Sequence, residues 1–120
     1  MTIREAITEV DKGLFNAYTT SEKVRWLSRL DGEIYNTIVS VREGAPDSFE
    51  PYTDSDDTVL LVPHPYEDVY ITYLQAMIHY SNGETVRYNN AIAMHNATLD
   101  SFRNHYNNTH RHLGGGLKLL

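Results

Sequence analysis

A helical seam near the C-terminal end of the chain limits what the rest can fold into. Its members recur at steps of 4, 3, 4, 3 and 4 residues: Tyr88, Ile92, His95, Leu99, Phe102 and Tyr106. This spacing places side chains along one face of a long helix, which we predict over residues 85–108. The Ser-Asn-Gly stretch at 81–83 is typical of a helix exit, and a preceding helix is predicted to start near Pro65. Because the turn between them is short, the two helices should form an antiparallel pair.

Two further helices are predicted in the first third of the chain. Thr2 with Glu5 fits a capping box that opens a helix through about residue 15. Thr19 with Glu22 repeats the pattern, and a second helix should run over about 21–41. Gly32 lies inside this helix at a cost of up to ~1 kcal/mol relative to alanine, so it either weakens the prediction or marks close packing.

Residues 42–58 contain two prolines, a glycine and six acids, and they predict a long loop, a kind of segment that is often functional. The acids make this loop a candidate interaction surface: Glu43, Asp47, Glu50, Asp54, Asp56 and Asp57. The run 58–62 is β-prone and short. The fold class is therefore all-α, a compact bundle of about four helices with this acidic loop between helices two and three.

The chain ends in RHLGGGLKLL, where three glycines cannot hold a helix and three leucines follow them. We predict a helical domain over 1–112 and a flexible C-terminal tail over 113–120. A tail of this composition is either a tethered apolar binding segment or a frayed end. The residues that would bind are Gly114, Gly115, Gly116, Leu117, Lys118, Leu119 and Leu120.

The charge of the chain argues against a grip on nucleic acid. Its formal net charge is −6, and after Asp100 it has only basic charges, at Arg103, Arg111 and Lys118. Proteins that bind DNA carry basic stripes, so this chain would mostly repel phosphate. With no cysteine, it forms neither disulfides nor zinc–thiolate sites, and we expect a reducing interior such as the cytoplasm. No apolar run approaches the ~18 residues of a membrane span.

The residues with catalytic potential form no recognisable active site. Six histidines are scattered and make no H-E-x-x-H motif, and the acids at 54–57 lack the glycine and distal glutamate of a calcium loop. We therefore expect no enzyme, no metal and no cofactor. His95 lies on the apolar seam, where a hydrogen-bonded core or interface histidine is expected. Four tyrosines along one flank of helix three are either core residues or a candidate subunit interface: Tyr66, Tyr70, Tyr73 and Tyr80.

Three stretches carry a resemblance that covers nearly the whole chain: EKVRWLSRLDGEIY, LLVPHPYEDVYITYLQAMIHYSNGE and RYNNAIAMHNATLDSFRNHYNNTH. They resemble the small head–tail connector proteins of tailed bacteriophages and prophages of Gram-positive bacteria, also called adaptor or head-completion proteins. His95 departs from the family, in which an aromatic residue is expected there.

The resemblance implies a structural virion protein without catalytic residues, located at the head–tail interface of the virion and in the host cytoplasm during assembly. Such proteins form a ring, commonly of about twelve copies, beneath the portal protein. The ring extends the DNA channel and gives the stopper or tail-completion protein a surface to bind, while DNA passes through without specific binding. The C-terminal segment would dock onto the portal, and the acidic loop from Glu43 to Asp57 would face the DNA channel or the next ring. The alternative is a small helical phage-encoded regulatory or interaction module that does not bind the portal.

Overall fold

The computed structural model of the chain describes residues 1–53 and 57–113, and within these ranges the fold is all-helical. Four α-helices follow one another: α1 (Ile3–Gly13), α2 (Thr20–Ile34), α3 (Asp68–Ser81) and α4 (Thr85–Thr109). A π-helical segment, Tyr35–Val39, extends α2. The predicted all-α bundle of four helices is confirmed. The Cα atoms extend over 52 × 31 × 21 Å, so the molecule is elongated.

Capping boxes start the first two helices. Thr2 accepts a hydrogen bond from the Glu5 N–H at 3.2 Å, while the Glu5 carboxylate accepts from the Thr2 N–H at 2.8 Å. Thr19 and Glu22 repeat this reciprocal pair at the start of α2. Both predicted caps are confirmed. The two helices are joined by an ion pair in which the buried Lys23 Nζ lies 2.8 Å from the Asp11 carboxylate.

Helix α3 lies at the centre of the molecule because it is apolar on most of its circumference. It packs against α1, α2 and, most extensively, α4. Val69, Leu74 and Ile78 are fully buried along it. The seam predicted on α4 packs here, with Phe102 buried and His95 within hydrogen-bond distance of Val69 near the start of α3. Residues late in α4 therefore meet residues early in α3, as the predicted antiparallel pair requires.

Three predicted helix boundaries differ from the structure by two residues or more, the first being the end of α1, which lies at Gly13 and not near residue 15. Helix α3 begins at Asp68, not near Pro65, because residues 63–66 form a turn in which the Tyr66 N–H donates to the Pro63 carbonyl at 2.9 Å. Helix α2 gives way to the π-helical segment, which ends at Val39, two residues before the predicted end. A methyl group added at Gly32 would lie 3.6 Å from the ring of Phe49, an ordinary contact distance, so the packing there does not require a glycine.

The β-prone run 58–62 forms no strand within the described residues, but its side chains alternate between buried and exposed as they would in a strand. Leu60 and Val62 are buried in the core and Val59 is exposed. The run pairs with the chain start through two backbone hydrogen bonds, from the Ile3 N–H to the Thr58 carbonyl and from the Leu60 N–H to the Met1 carbonyl. The end of the long loop is thereby fixed beside α1.

Candidate interaction surfaces

A buried carboxylate near the C-terminal end of α2 organises the long loop. Asp31 has no solvent-exposed surface and accepts three hydrogen bonds: from the Tyr70 hydroxyl at 2.7 Å, the Tyr52 hydroxyl at 2.5 Å and the Leu61 N–H at 3.0 Å. The Tyr70 hydroxyl in turn accepts from the Val62 N–H at 2.7 Å. Buried polar groups are stable only when they are hydrogen-bonded, and Asp31 meets this requirement with partners from three parts of the chain.

The pKa values in this cluster follow from burial. Burial raises the pKa of the Asp31 carboxyl, an effect that its three hydrogen bonds oppose. The pKa values of Tyr52 and Tyr70 are also raised, by burial and then by the adjacent Asp31 carboxylate. Both hydroxyls therefore keep their protons and act as donors. The cluster is a structural clamp whose groups are all engaged with one another.

The clamp fixes the long loop at Tyr52 and again at Leu61. Tyr52 is fixed through its hydroxyl to Asp31 and through its N–H to Ser28 Oγ at 2.9 Å. Phe49 packs between the rings of Tyr35 and Tyr52, with centroids 6.1 and 5.2 Å away. The loop therefore has a fixed base from which its acidic side chains project.

The acidic side chains that the structure describes are exposed. Glu43, Asp47 and Glu50 extend from the first half of the loop, and Asp57 lies 3.5 Å from the Arg4 guanidinium in a well-solvated pair. Asp54 and Asp56 lie outside the described residues. A solvated ion pair of this kind stabilises a fold little, so these acids are free to meet a partner surface.

The four tyrosines of the candidate subunit interface do not form one surface. Tyr70 is fully buried with its hydroxyl on Asp31, so including it in an interface was wrong. Tyr66 and Tyr73 are half-buried and pack on Phe102 and His95, with ring centroids 5.9 and 5.1 Å apart. Tyr80 is different, because 65% of its surface is exposed. Only this last tyrosine offers a largely free side chain.

Tyr80 belongs to an exposed apolar region at the α3–α4 turn, which we call the hairpin end. Its ring lies 5.4 Å from that of Tyr88, and Val86 in the first turn of α4 is 73% exposed. The α1–α2 connection reaches the same turn, because the Tyr18 hydroxyl donates to Asn82 Oδ1 at 2.6 Å. Exposed apolar side chains grouped in this way are typical of protein-binding surfaces.

The last described residues, 111–113, are hydrogen-bonded to residues 41–43 at the start of the long loop. Arg42 and His112 face each other in an antiparallel bridge, in which the Glu43 N–H donates to the Arg111 carbonyl at 2.8 Å and the Leu113 N–H donates to the Val41 carbonyl at 2.9 Å. We call this pairing the C-terminal root. The predicted binding tail, Gly114–Leu120, lies outside the described residues.

His95 is a buried, hydrogen-bonded core histidine, one of the two alternatives predicted for it. Its Nδ1 lies 2.9 Å from the Val69 carbonyl, and since a carbonyl only accepts, this nitrogen carries the proton. Burial lowers the pKa of His95, which favours the neutral ring. Within 1–53 and 57–113, no three metal-ligating side chains are grouped so that they could hold an ion. In the same ranges no helix is long and apolar enough to span a membrane.

Comparison with known proteins does not add to this description. The chain matches no family model, no curated protein and no solved structure.

Sequence reasoning missed two buried charged groups, Asp31 and Lys23. The sequence signal that could have revealed them is their position in α2. Asp31 lies between Leu27 and Ile34 on the apolar face, where a carboxylate requires partners. Its partners lie 21 and 39 residues away in sequence, so their identity could not be read from local spacing.

Proposed function

We propose that this protein is a head–tail adaptor of a tailed bacteriophage, a structural subunit that forms a ring beneath the portal. The ring would extend the DNA channel and offer a docking surface to the stopper or tail-completion protein. The observation that carries the proposal is the C-terminal root. An apolar terminal segment starts from a backbone position that is hydrogen-bonded to the folded body, beside the start of an acidic loop.

The C-terminal root suits a docking tether because it separates a rigid body from its binding segment. Two backbone hydrogen bonds hold residues 111–113, and three glycines follow before Leu117, Leu119 and Leu120. A leucine that becomes fully buried contributes roughly 1.5–3 kcal/mol, so one tail would bind weakly after the cost of ordering it. About twelve tails on one ring would act together through their effective concentration.

The charge distribution supports the same role. The acids of the loop that the structure describes are solvent-exposed, and the chain is acidic overall. A channel wall through which DNA slides is better served by repulsion of phosphate than by attraction. Ring neighbours meet through two different surfaces, and the hairpin end with Tyr80 is the candidate for one of them.

The decisive experiment is binding to purified portal rings or DNA-filled capsids of the same phage. The full chain is compared with a chain that ends at Gly116, and with a Met94→Ser chain as a control for loss of an exposed apolar side chain elsewhere. We expect the full and control chains to decorate the portal and the shortened chain to fail.

If the shortened chain binds equally, the adaptor role is retained and the tail has no docking role. If no chain binds, the adaptor proposal is refuted, and a monomeric or dimeric regulatory module becomes the better interpretation.

A further inference from the structure

The molecule has an apolar groove beside the C-terminal root. The groove has a volume of about 320 Å³, at the small end of the range for ligand pockets, and is large enough for a few aliphatic side chains. It lies where the π-helical segment, the end of the long loop and the last turns of α4 meet. Apolar and aromatic side chains dominate its lining: Val39, Leu61, Pro63, Phe102, Tyr106 and His110.

The wall that the end of α4 and His110 contribute is aromatic. The ring of His110 stacks on that of Tyr106, with centroids 3.8 Å apart and planes within 9°. Phe102 continues the wall, with its ring centroid 5.6 Å from that of Tyr106. Pro63 and the half-buried Leu61 stand on the other side of the groove. Such a surface favours branched aliphatic side chains over charged ones.

The antiparallel pairing at the C-terminal root runs from Arg111 to Leu113 in the direction of this groove. Residues 111–113 pair antiparallel with 43–41, so a segment that continues past Leu113 is directed towards Ser40 and Val39. Val39 lines the groove. Seven residues remain after Leu113, and at ~3.3 Å per residue they reach at most about 23 Å. The groove is therefore within reach of the leucines at 117, 119 and 120.

The root also has an unused hydrogen-bond donor. The Arg42 guanidinium donates from Nη1 to the His110 carbonyl at 3.3 Å. Its Nε is buried and has no acceptor among the described residues. A buried donor without an acceptor is costly, and a carbonyl of the segment after Leu113 would supply one.

We propose that the groove binds the protein's own C-terminal segment, with Leu117, Leu119 and Leu120 as the side chains that enter it, while the protein is free. The occupant is the same chain's tail and not that of a second copy, because the short connection from Leu113 gives it an effective concentration in the millimolar range. The inference goes beyond the proposed function, since it concerns the isolated subunit. It implies that the segment leaves the groove before it binds any partner.

The absence of native cysteines allows a direct test by disulfide trapping. In the full chain, His105→Cys and Leu119→Cys are combined. His105 lines the groove from an exposed position on α4. The control pair is Asn108→Cys with Leu119→Cys. Asn108 is exposed, is not among the groove-lining residues and is closer in sequence to the tail. If the tail does not dock, the 108–119 pair should therefore form its disulfide at least as fast as the 105–119 pair.

Both pairs are oxidised with glutathione disulfide at low protein concentration, and the intramolecular disulfide is followed by mass spectrometry. We expect the 105–119 pair to close about tenfold faster than the 108–119 pair. Leu117→Ser with Leu120→Ser, added to both pairs, should remove this difference. A second pair on another groove residue, Pro46→Cys with Leu119→Cys, should behave like the first and excludes an effect peculiar to position 105.

Equal closure rates for the 105–119 and 108–119 pairs would refute docking in the groove. Predominant disulfide-linked dimers in the 105–119 pair would refute docking within one chain and would indicate a second copy as the occupant. Neither outcome depends on portal binding, so this proposal and the adaptor proposal can fail separately.

Discussion

The hydroxyl of Tyr70 donates a hydrogen bond to the carboxylate of Asp31 across the α2–α3 contact, 2.7 Å away and fully buried. The same hydroxyl accepts from the Val62 N–H, so one oxygen joins two helices to the end of the long loop. Because Asp31 also binds Tyr52 and Leu61, the acidic loop and the helical core are expected to unfold together. Although the loop is long, its residues Tyr52 and Leu61 pack against the core.

Tyr70→Phe removes one donor from the Asp31 carboxylate and the acceptor of the Val62 N–H. We expect it to lower the free energy of unfolding by about 2–3 kcal/mol, since hydrogen bonds to charged groups contribute about 1.5–3 kcal/mol and a buried N–H is left unpaired. Urea unfolding followed by Trp26 fluorescence measures this. Tyr80→Phe is the control, because its hydroxyl is on an exposed ring, and it should change stability by less than about 0.5 kcal/mol. Equal effects of the two changes would contradict the clamp.

Asp31→Asn should alter the pH dependence of stability in a defined direction. Burial raises the pKa of the Asp31 carboxyl in the native state. An acid with a raised native pKa binds more protons folded than unfolded, so its contribution is complete below the unfolded pKa of about 3.9 and is lost as pH rises through the native pKa. The wild-type protein should therefore lose stability relative to the Asn variant as pH rises from below about 3.9 through the native pKa of Asp31.

The measurement is urea unfolding of both proteins at several pH values, reported as their difference. The subtraction matters because exposed carboxylates such as Glu5 and Glu22 have lowered pKa values from their capping hydrogen bonds and act in the opposite sense. If the wild-type protein instead gains stability relative to the Asn variant as pH rises, the hydrogen-bond donors around Asp31 outweigh its burial.

The Lys23–Asp11 pair should respond differently to loss of one partner and of both. Lys23 is buried while 43% of the Asp11 side chain is exposed. Asp11→Ala leaves a buried ammonium without its partner, and because water reaches this site we expect a loss of about 1–2 kcal/mol, below the range for fully buried pairs. Adding Lys23→Met removes the charge and keeps the volume.

Thermal and urea unfolding of the single and double variants test this, and the double variant should recover most of the loss. Additive losses in the double variant would instead indicate that the ammonium itself stabilises the α1–α2 contact.

The predicted start of α2 can be tested with two neighbouring threonines. Thr19 accepts from the Glu22 N–H at 3.1 Å, whereas Thr20 is the first residue inside the helix. Thr19→Ala should lower stability by about 1 kcal/mol, and Thr20→Ala should lower it little, because alanine is the better helix former. Circular dichroism melting of the two variants compares them, and a larger loss for Thr20→Ala would move the cap by one residue.

The helices and their caps could be predicted from the sequence because those signals are local. The α4 seam and the Thr2 and Thr19 boxes depend on residues three or four positions apart. The clamp on Asp31 could not be predicted in this way, since α2, the loop and α3 must meet before its partners become neighbours. Tyr70 was wrongly included in the candidate interface for the same reason. α3 is covered on most sides, so helical spacing alone could not distinguish the buried Tyr70 from the exposed Tyr80.

The hairpin end provides the last prediction, which concerns assembly and rests on the proposed adaptor role. Tyr80→Ser changes a side chain that is 65% exposed, so stability should change by less than about 0.5 kcal/mol. If this end is one face of the ring contact, the variant should occupy fewer positions on the portal than the wild-type protein. Aromatic side chains contribute strongly to such interfaces.

Met94→Ser is the matched control, because Met94 is 63% exposed at another position on α4. Quantitative mass spectrometry of portal complexes counts the bound subunits for both variants. If Tyr80→Ser and Met94→Ser decorate the portal equally, the subunit interface lies away from the hairpin end. Loss of decoration by Tyr80→Ser alone, with stability unchanged, would locate it there.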